Sequence, residues 1–313
     1  MTLPHFIVAI VVGLIVLTWS TDRFIGAAAA VAQRLGVSTF FIGLTVVAFG
    51  TSAPEMVVSL FAAIEGAPGI AIGNVFGSNI ANIGLVLGLT ALIKPIPFGL
   101  GILRRELLFL VVLTVVVGGL VMDYQLSLGD SVILLALLSL FLVLLTQWQN
   151  PEDDLEELDS DGQFGWQLFW LVIGLALLLV SSRALVWGAV GVAEYWGVNE
   201  TIIGLTIVAI GTSLPELATT VGSALKNKPG LAFGNVIGSN ALNLLVVLPI
   251  PGLFGMVALS PELVDRDFIV MLGITLAFVA LSLIFRPKVN RFSGVVLLGS
   301  YLAYISYLVV LVV

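Results

Sequence analysis

Two stretches of the chain are near copies of each other: GLTVVAFGTSAPEMVVS at 43–59 and GLTIVAIGTSLPELATT at 204–220. They belong to a longer alignment of 43–82 with 204–243, which keeps a constant offset of 161 residues and has 21 identities in 40 positions. A gap-free repeat of this length predicts that one structural unit occurs twice. The fold is therefore expected to be a duplication.

The chain around the repeats is too apolar for a water-exposed surface. Of its 313 residues, 59% are hydrophobic and 10% are charged, whereas a soluble domain carries about 25% charged residues. The apolar runs are about 18 to 27 residues long, enough to cross a hydrocarbon core of about 30 Å. Because the runs are unbroken rather than alternating, we expect membrane-spanning helices and not a β-barrel. The expected surroundings are a lipid bilayer; nothing indicates a nucleic acid or a protein partner.

Loops, charges and Gly/Pro clusters divide the chain into ten predicted spans. They lie near 5–29, 37–64, 69–93, 105–122, 126–147, 164–190, 198–225, 230–256, 267–285 and 293–313. Five spans per copy is an odd number, so the second copy enters the membrane from the opposite side. The predicted fold is an all-α polytopic membrane protein with ten transmembrane helices. Two inverted five-helix repeats, 1–150 and 164–313, flank an acidic linker, 151–163.

The positive charges in the short loops predict the orientation, because cytoplasmic loops carry an excess of Lys and Arg. Counting loops alternately, ten charges fall on one side: Arg23, Arg34, Lys94, Arg104, Arg105, Lys226, Lys228, Arg286, Lys288 and Arg291. Only Arg183 and Arg266 fall on the other side. We expect the acidic linker in the cytoplasm and both termini outside.

Each copy places one carboxylate, Glu55 or Glu216, midway along an apolar span. An unpaired charge at that depth costs from about 2.5 to more than 10 kcal/mol, depending on the assay. A protonated glutamate hydrogen-bonded between helices is the purely structural alternative. Because the group recurs at the same place in both copies, we favour carboxylates that face a cavity and meet a cation.

Hydroxyl groups and a helix breaker accompany each glutamate. Thr51 lies four residues before Glu55 and shares its helix face, and Ser52 is the next residue. Pro54 has no amide hydrogen, so the carbonyl of Gly50 loses its helical partner and a break is expected. Thr212, Ser213, Pro215 and the carbonyl of Gly211 repeat this arrangement in the second copy. Carboxylate, hydroxyl and carbonyl oxygens are ligands that Ca²⁺ and Na⁺ prefer.

A second duplicated string supplies amide groups. In GNVFGSNIAN (73–82), the residues Asn74, Ser78 and Asn82 step by four and form a polar stripe; Asn235, Ser239 and Asn243 repeat it in 234–243. The interleaved glycines, Gly73 with Gly77 and Gly234 with Gly238, predict close helix packing. We expect two glutamate helices and two asparagine helices to converge near the midplane.

Charge counting limits the cargo. Two ionised glutamates give about −2, which one Ca²⁺ or two Na⁺ would neutralise. The six to eight oxygens that Ca²⁺ takes are available from carboxylates, hydroxyls, amides and carbonyls, and the tight Mg²⁺ octahedron fits less well. With no cysteine and a single histidine in the chain, we expect no resident cofactor, only the transported Na⁺ and Ca²⁺ as bound ions.

The duplicated GTSxPE and GNxxGSNxxN strings resemble the alpha-repeats of the calcium/cation antiporter superfamily, specifically its sodium/calcium exchanger branch. The short linker is similar to that of prokaryotic members. The resemblance implies alternating access at a shared site in a prokaryotic cytoplasmic (inner) membrane. It implies calcium ligands at Glu55, Glu216, Thr51 and Thr212. Sodium sites would use Ala48, Thr51, Ser52, Glu55, Ser78, Ala209, Thr212, Ser213, Glu216 and Ser239, with Asn82 and Asn243 lining the centre. Some archaeal and potassium-dependent members have an aspartate at the position of Asn243, so asparagine argues against potassium co-transport.

Three other functions compete with sodium/calcium exchange. A calcium/proton (or other cation/proton) antiporter of the same superfamily is the nearest, but such members usually lack the Thr-Ser pair that this chain has twice. An intramembrane enzyme is disfavoured, because there is no HExxH motif, no cysteine nucleophile and no lysine evident within a span to activate a serine. A channel would also line a path with polar groups, whereas inverted repeats with broken helices favour a transporter.

Overall fold

The structure, a computed structural model, describes residues 2–64, 66, 68–99, 101–102, 105–148, 164–197 and 209–312. Its main helices are α1 (Leu3–Leu35), α2 (Thr39–Thr51), α3 (Ala53–Ile64), α4 (Pro68–Ile93), α5 (Glu106–Val121), α6 (Leu128–Trp148), α7 (Phe164–Tyr195), α8 (Ala209–Thr212), α9 (Leu214–Leu225), α10 (Pro229–Leu253), α11 (Glu262–Ile284) and α12 (Arg291–Val312). Four two-residue strands are β1 (Ile96–Pro97), β2 (Gln125–Leu126), β3 (Val257–Ala258) and β4 (Lys288–Val289). The predicted linker, 151–163, lies outside the described residues.

Long apolar helices dominate the described part of the chain. Seven of them are long and apolar enough to cross a membrane, and α2 with α3, bent by 43° at Ser52, would make an eighth span. The helix α5 is apolar but shorter, with 16 residues. The prediction of a helical, multi-pass membrane protein is confirmed. The count of ten spans and their inverted arrangement stay predictions.

The helices α1 and α7 form an antiparallel pair. The ring of Phe6 meets Trp187 at 5.0 Å between centroids, while further along α1 the backbone of Phe24 faces Gly174. A Cβ at Gly174 would lie 3.2 Å from Phe24, so the glycine lets the two backbones approach. The pair packs with a few residues of α2 and α10 in a hydrophobic cluster that is separate from the larger cluster formed mainly by α4, α10 and α11.

The helix α10 lies at the centre of the larger body, and 83% of its apolar window is buried. A Cβ at Gly234 would lie 2.4 Å from the carbonyl oxygen of Phe40, and one at Gly238 would lie 2.3 Å from that of Leu44. The predicted close packing is therefore confirmed for this glycine pair, against α2. At Gly73 the nearest contact is an ordinary 3.7 Å to Leu263, and no described residue comes within 4 Å of a Cβ at Gly77.

The short strands join the two halves of the chain at the helix ends. Strand β1 pairs antiparallel with β4, with Ile96 opposite Val289, and β2 pairs antiparallel with β3, with Gln125 opposite Ala258. Each sheet thus takes one strand from each half of the sequence. The loops after α4 and α11 are held together in one sheet, and those after α5 and α10 in the other.

Candidate cation site

Both glutamates follow a helix break that occurs at the same motif position. Ser52 (φ −83°, ψ 7°) separates α2 from α3, and Ser213 (φ −88°, ψ 5°) separates α8 from α9. Pro54 and Pro215 are the second residues of α3 and α9, where a missing amide hydrogen is tolerated. Each break therefore lies two residues before the proline held responsible for it.

The break places the carboxylates in the first turn of α3 and α9, inside the protein. Glu55 and Glu216 are each 1% exposed, and Ser52, three residues before Glu55, is hydrogen-bonded to Glu216. Five further predicted oxygen ligands with side-chain hydroxyls are buried or line a cavity beside them: Thr51, Ser52, Ser78, Ser213 and Ser239. The structure thus brings the two halves of the predicted site together.

Hydrogen bonds across the site connect one half of the chain to the other. The Ser52 hydroxyl donates to Glu216 Oε1 at 3.0 Å, and the Thr51 hydroxyl donates to Asn235 Oδ1 at 3.1 Å. Asn235 in turn donates to the Glu216 carbonyl at 3.4 Å and to Thr220 at 3.0 Å. Within the first half, Ser78 donates to Glu55 Oε1 at a longer 3.5 Å. Each glutamate therefore has one oxygen held by a serine.

Several buried oxygens of the site have no hydrogen-bond partner among the described residues. They are Glu55 Oε2, Glu216 Oε2, Asn82 Oδ1, Asn243 Oδ1, Ser213 Oγ and Ser239 Oγ. Polar atoms buried without a partner are rare, because each costs about 1 to 3 kcal/mol. All six belong to residues predicted to hold or line a cation site, and carboxylate, amide and hydroxyl oxygens are ligands of hard cations. The donor set fits Ca²⁺ and Na⁺.

The remaining predicted residues also lie at this place. Ala48 is fully buried one turn before the break, and Ala209 begins α8 at the corresponding position. Thr212 ends α8 and lines a cavity. Asn82 and Asn243 each begin a π-helical stretch, 82–87 and 243–247, within α4 and α10. Wider π turns often mark functional sites in helices.

Asn79 and Asn240 belong to the site but were not predicted from the sequence. Asn243 donates to Asn79 Oδ1 at 3.0 Å, and Asn79 donates to the carbonyl of Asn240 at 3.3 Å. These bonds fix the Asn243 amide so that its own oxygen is left without a partner. The signal was present in the sequence, because Asn79 and Asn240 occupy the same position of the duplicated GSN string.

A cavity of about 530 Å³ adjoins the site. Its lining includes Asn74, Ser78 and Thr212, together with residues of α11 and α12. Asp267 in that lining is paired with Arg266, Nε to Oδ1 at 2.7 Å, and accepts a hydrogen bond from Tyr304 at 2.9 Å. The negative charge of Asp267 is therefore matched, unlike those of the two glutamates.

No group of three or more His, Cys, Asp or Glu side chains suited to a metal ion occurs in the described ranges. The ligands beyond the two carboxylates are thus hydroxyl, amide and carbonyl oxygens. Buried oxygens from both halves of a multi-pass helical protein are the arrangement expected of a membrane cation transporter.

The comparisons with known proteins place the chain within that class. The model of the family described as sodium/calcium exchanger protein matches residues 5–147 and 166–310. The chain belongs to this family, which is one of transporters and not of enzymes. It is 37% identical to the inner membrane protein YrbG of Escherichia coli, over 96% of this chain and 95% of that one. It is 32% identical to the sodium/calcium exchanger MaX1 of Methanosarcina acetivorans, over 96% and 97%.

A solved structure is similar to this chain both in fold and in sequence. The sodium-calcium exchanger NCX_Mj, soaked with Na⁺ and Sr²⁺, superposes with a TM-score of 0.85 at 32% identity. The match covers 97% of this chain and 99% of that one. The resemblance stated from the duplicated motifs is confirmed.

Proposed function

We propose that this protein is an antiporter that exchanges Na⁺ for Ca²⁺ across a prokaryotic cytoplasmic membrane. The observation that carries the proposal is the pair of buried carboxylates, one from each half, whose second oxygens have no partner among the described residues. Both cations are substrates that compete for these oxygens. A family whose relatives are named sodium/calcium exchangers supports the same substrates.

The charge of the site sets the exchange. Two carboxylates attract one Ca²⁺ or two Na⁺, and removing either cargo without replacement would leave two like charges buried together, at a cost of several kcal/mol per ion. The site is therefore enclosed and moved across the membrane only when a cargo occupies it, so the transport of one cargo is coupled to the return of the other. Any Na⁺ beyond two moves as net charge, so exchange with more than two Na⁺ per Ca²⁺ responds to membrane voltage.

We assign the ligands as the motifs predict. Calcium is held by the carboxylates of Glu55 and Glu216 with oxygens of Thr51 and Thr212. Sodium takes the same carboxylates with flanking oxygens of Ala48, Thr51, Ser52, Ser78, Ala209, Thr212, Ser213 and Ser239. Asn82 and Asn243 line the centre. Their amide oxygens have no hydrogen-bond partner among the described residues. Pro54 and Pro215 keep each chain break beside its carboxylate.

The membrane topology that we propose has ten spans, in two inverted repeats, 1–150 and 164–313, joined by a cytoplasmic linker, 151–163. The strand pairs support it. In this topology the loops of β1 and β4 lie on the linker side, and those of β2 and β3 lie on the other. A hydrogen bond from Lys94 to Asn227, at 2.5 Å, joins the loop of β1 to one further loop of the linker side, between α9 and α10. Both termini are outside.

Alternating access follows from this arrangement. The cavity beside Asn74, Ser78 and Thr212 gives ions a route to the site from the side of Arg266, which the Lys and Arg bias places outside. The opposite state would open toward the linker side. The antiparallel pair of α1 and α7 belongs to a hydrophobic cluster separate from the larger one, so we propose that this pair moves relative to the larger cluster between the two states.

Isotopic calcium uptake into inverted vesicles tests the assignment. A sodium gradient alone should drive uptake, and a proton gradient alone should not. Uptake driven by protons and indifferent to sodium would establish the calcium/proton antiporter instead. Equal uptake without any gradient of a second ion would indicate a channel.

A further inference from the structure

A second polar pocket lies between α1, α7 and the end of α9, away from the cation site. Its volume is about 270 Å³, and its lining includes Asp22, Arg23, Gln167, Trp170 and Lys226. None of these residues belongs to the exchanger motifs. We call it the boundary pocket.

The charges of the boundary pocket leave an excess of one positive charge. Lys226 is paired with Asp22, Nζ to Oδ1 at 2.6 Å, and also donates to the Asp22 carbonyl at 2.9 Å. Arg23 has no carboxylate partner among the described residues. Its guanidinium lies instead against two indole rings, 5.8 Å from the centre of Trp19 and 5.3 Å from that of Trp170. Stacking of this kind holds the cation in place and leaves its N–H donors available.

Two buried polar atoms in the pocket lining are without a partner in the described part of the chain. They are Nε1 of Trp170 and Oε1 of Gln167. Gln167 is only 6% exposed. An indole N–H is a donor only, so Trp170 needs an acceptor. The Gln167 amide supplies a donor as well as an acceptor at the same wall. Two cations and two amide or indole groups therefore converge on one space.

The tryptophans around the pocket point to a lipid. Trp19, Trp166 and Trp170 cluster at it, with ring centres 5.4 to 5.6 Å apart, and tryptophans of this kind mark the membrane–water boundary. Lys226 begins the turn between α9 and α10, on the side that carries ten of the twelve Lys and Arg residues. Basic pockets between helices on that side suit anionic headgroups.

We propose that the boundary pocket binds the phosphate group of an anionic phospholipid of the cytoplasmic leaflet. Arg23 and Lys226 would neutralise the phosphate, and the N–H groups of Trp170 and of the Gln167 amide would donate to its oxygens, while Gln167 Oε1 would accept from a hydroxyl of the headgroup. A volume of about 270 Å³ accepts a phosphoglycerol group, since a water occupies about 30 Å³. The lipid would tie the α1–α7 pair to α9 of the site-bearing body. Only its assignment to the cytoplasmic leaflet rests on the proposed topology.

Phosphatidylglycerol is the probe. Full-length protein in detergent is mixed with phosphatidylglycerol or with phosphatidylcholine, and bound lipid is counted by native mass spectrometry. Thermal unfolding is followed in parallel, because a ligand of the folded state raises the melting temperature. The wild type should retain phosphatidylglycerol and be stabilised by it, and phosphatidylcholine should do neither.

Arg23→Gln should lower phosphatidylglycerol affinity about five-fold, the contribution of one cation near an anionic surface. Arg183→Gln is the matched control, since Arg183 is an exposed cation of α7 outside the pocket, and should bind as the wild type does. Trp170→Phe removes the N–H and keeps a ring over Arg23, so a smaller loss is expected. The Trp170→Phe variant also tests the proposal if the Arg23→Gln variant does not fold.

Equal retention by the Arg23→Gln and Arg183→Gln variants would overturn the proposal. Inorganic phosphate is tested as a third ligand. If it displaces phosphatidylglycerol and stabilises the protein equally at the same concentration, the pocket is a site for a free anion and not for a lipid. Loss of lipid binding with sodium-driven calcium uptake intact, or the reverse, separates this proposal from the exchange function.

Discussion

The residue Glu216 of the cation site is 1% exposed, as is Glu55, whereas in the boundary pocket the side chains of Lys226 and Asp22 are 32% and 59% exposed. The first region holds two carboxyl groups that no cation among the described residues pairs with, and the second holds an excess positive charge. Buried charge that the protein leaves unmatched is costly, so it identifies a ligand of opposite sign. Exposed charge carries less information, because water screens it. The comparison indicates that burial, rather than charge alone, distinguishes the binding site of a transported ion from the binding site of an accessory ligand.

The largest effect is expected from neutralising the buried carboxylates. Glu55→Gln and Glu216→Gln should each reduce sodium-driven calcium uptake to background, because half of the charge that balances Ca²⁺ is removed. Glu194→Gln, at an exposed position near the end of α7, is the matched control and should transport normally. Uptake at the wild-type rate in either site variant would remove that glutamate from the site.

A single hydroxyl of the site should have an intermediate effect. Ser52→Ala deletes the donor to Glu216 Oε1, and hydrogen bonds to charged groups contribute about 1.5 to 3 kcal/mol. We expect the sodium concentration for half-maximal exchange to rise about ten-fold or more. Ser20→Ala is the control, because it removes a buried hydroxyl whose hydrogen bond in the described part of the chain is to the Leu17 carbonyl of its own helix. The same shift in both variants would mean that the loss is structural.

The two copies of the glycine motif should differ in their tolerance of a methyl group. Gly238→Ala places a Cβ 2.3 Å from the Leu44 carbonyl, and overpacking of this kind costs about 1 to 3 kcal/mol. Gly77→Ala, at the same motif position in the first half, meets no described atom within 4 Å. Thermal unfolding should therefore show a lower melting temperature for Gly238→Ala alone. Equal losses in the two variants would contradict the observed packing of α10 on α2.

The smallest effect is expected from salt, which should weaken ligand binding at the boundary pocket more than at the cation site. Choline chloride should weaken phosphatidylglycerol retention at the boundary pocket several-fold, because exposed charges are screened beyond about 10 Å at 0.1 M. Calcium binding at the enclosed cation site should change little, since buried pairs are screened far less. Isotopic calcium binding and lipid retention, measured across one salt series, make the comparison. Parallel losses would show that the two sites are equally open to solvent.

The predictions from sequence were strongest where a motif occurs twice. The duplicated GTSxPE string identified both carboxylates and their hydroxyl neighbours, and the structure brings them together. The same reasoning named the prolines as breakers, and the chain leaves the helix at Ser52 and Ser213, between each freed glycine carbonyl and its proline, because a proline disrupts the turn that precedes it. Asn79 was overlooked because it falls between the members of the four-residue stripe. Its role depends on Asn243, which is 164 residues away.

The sequence by itself determined the membrane environment, the duplication and the residue types of the cation site. These follow from hydropathy, from self-similarity and from the cost of placing a carboxylate among apolar residues, all of which are local properties of the chain. Only the tertiary structure decided which serine bonds which glutamate, which glycine pair is tightly packed, and that Arg23, Trp170 and Lys226 share one pocket. Those outcomes depend on contacts between residues far apart in sequence, and each is selected by the packing of whole helices.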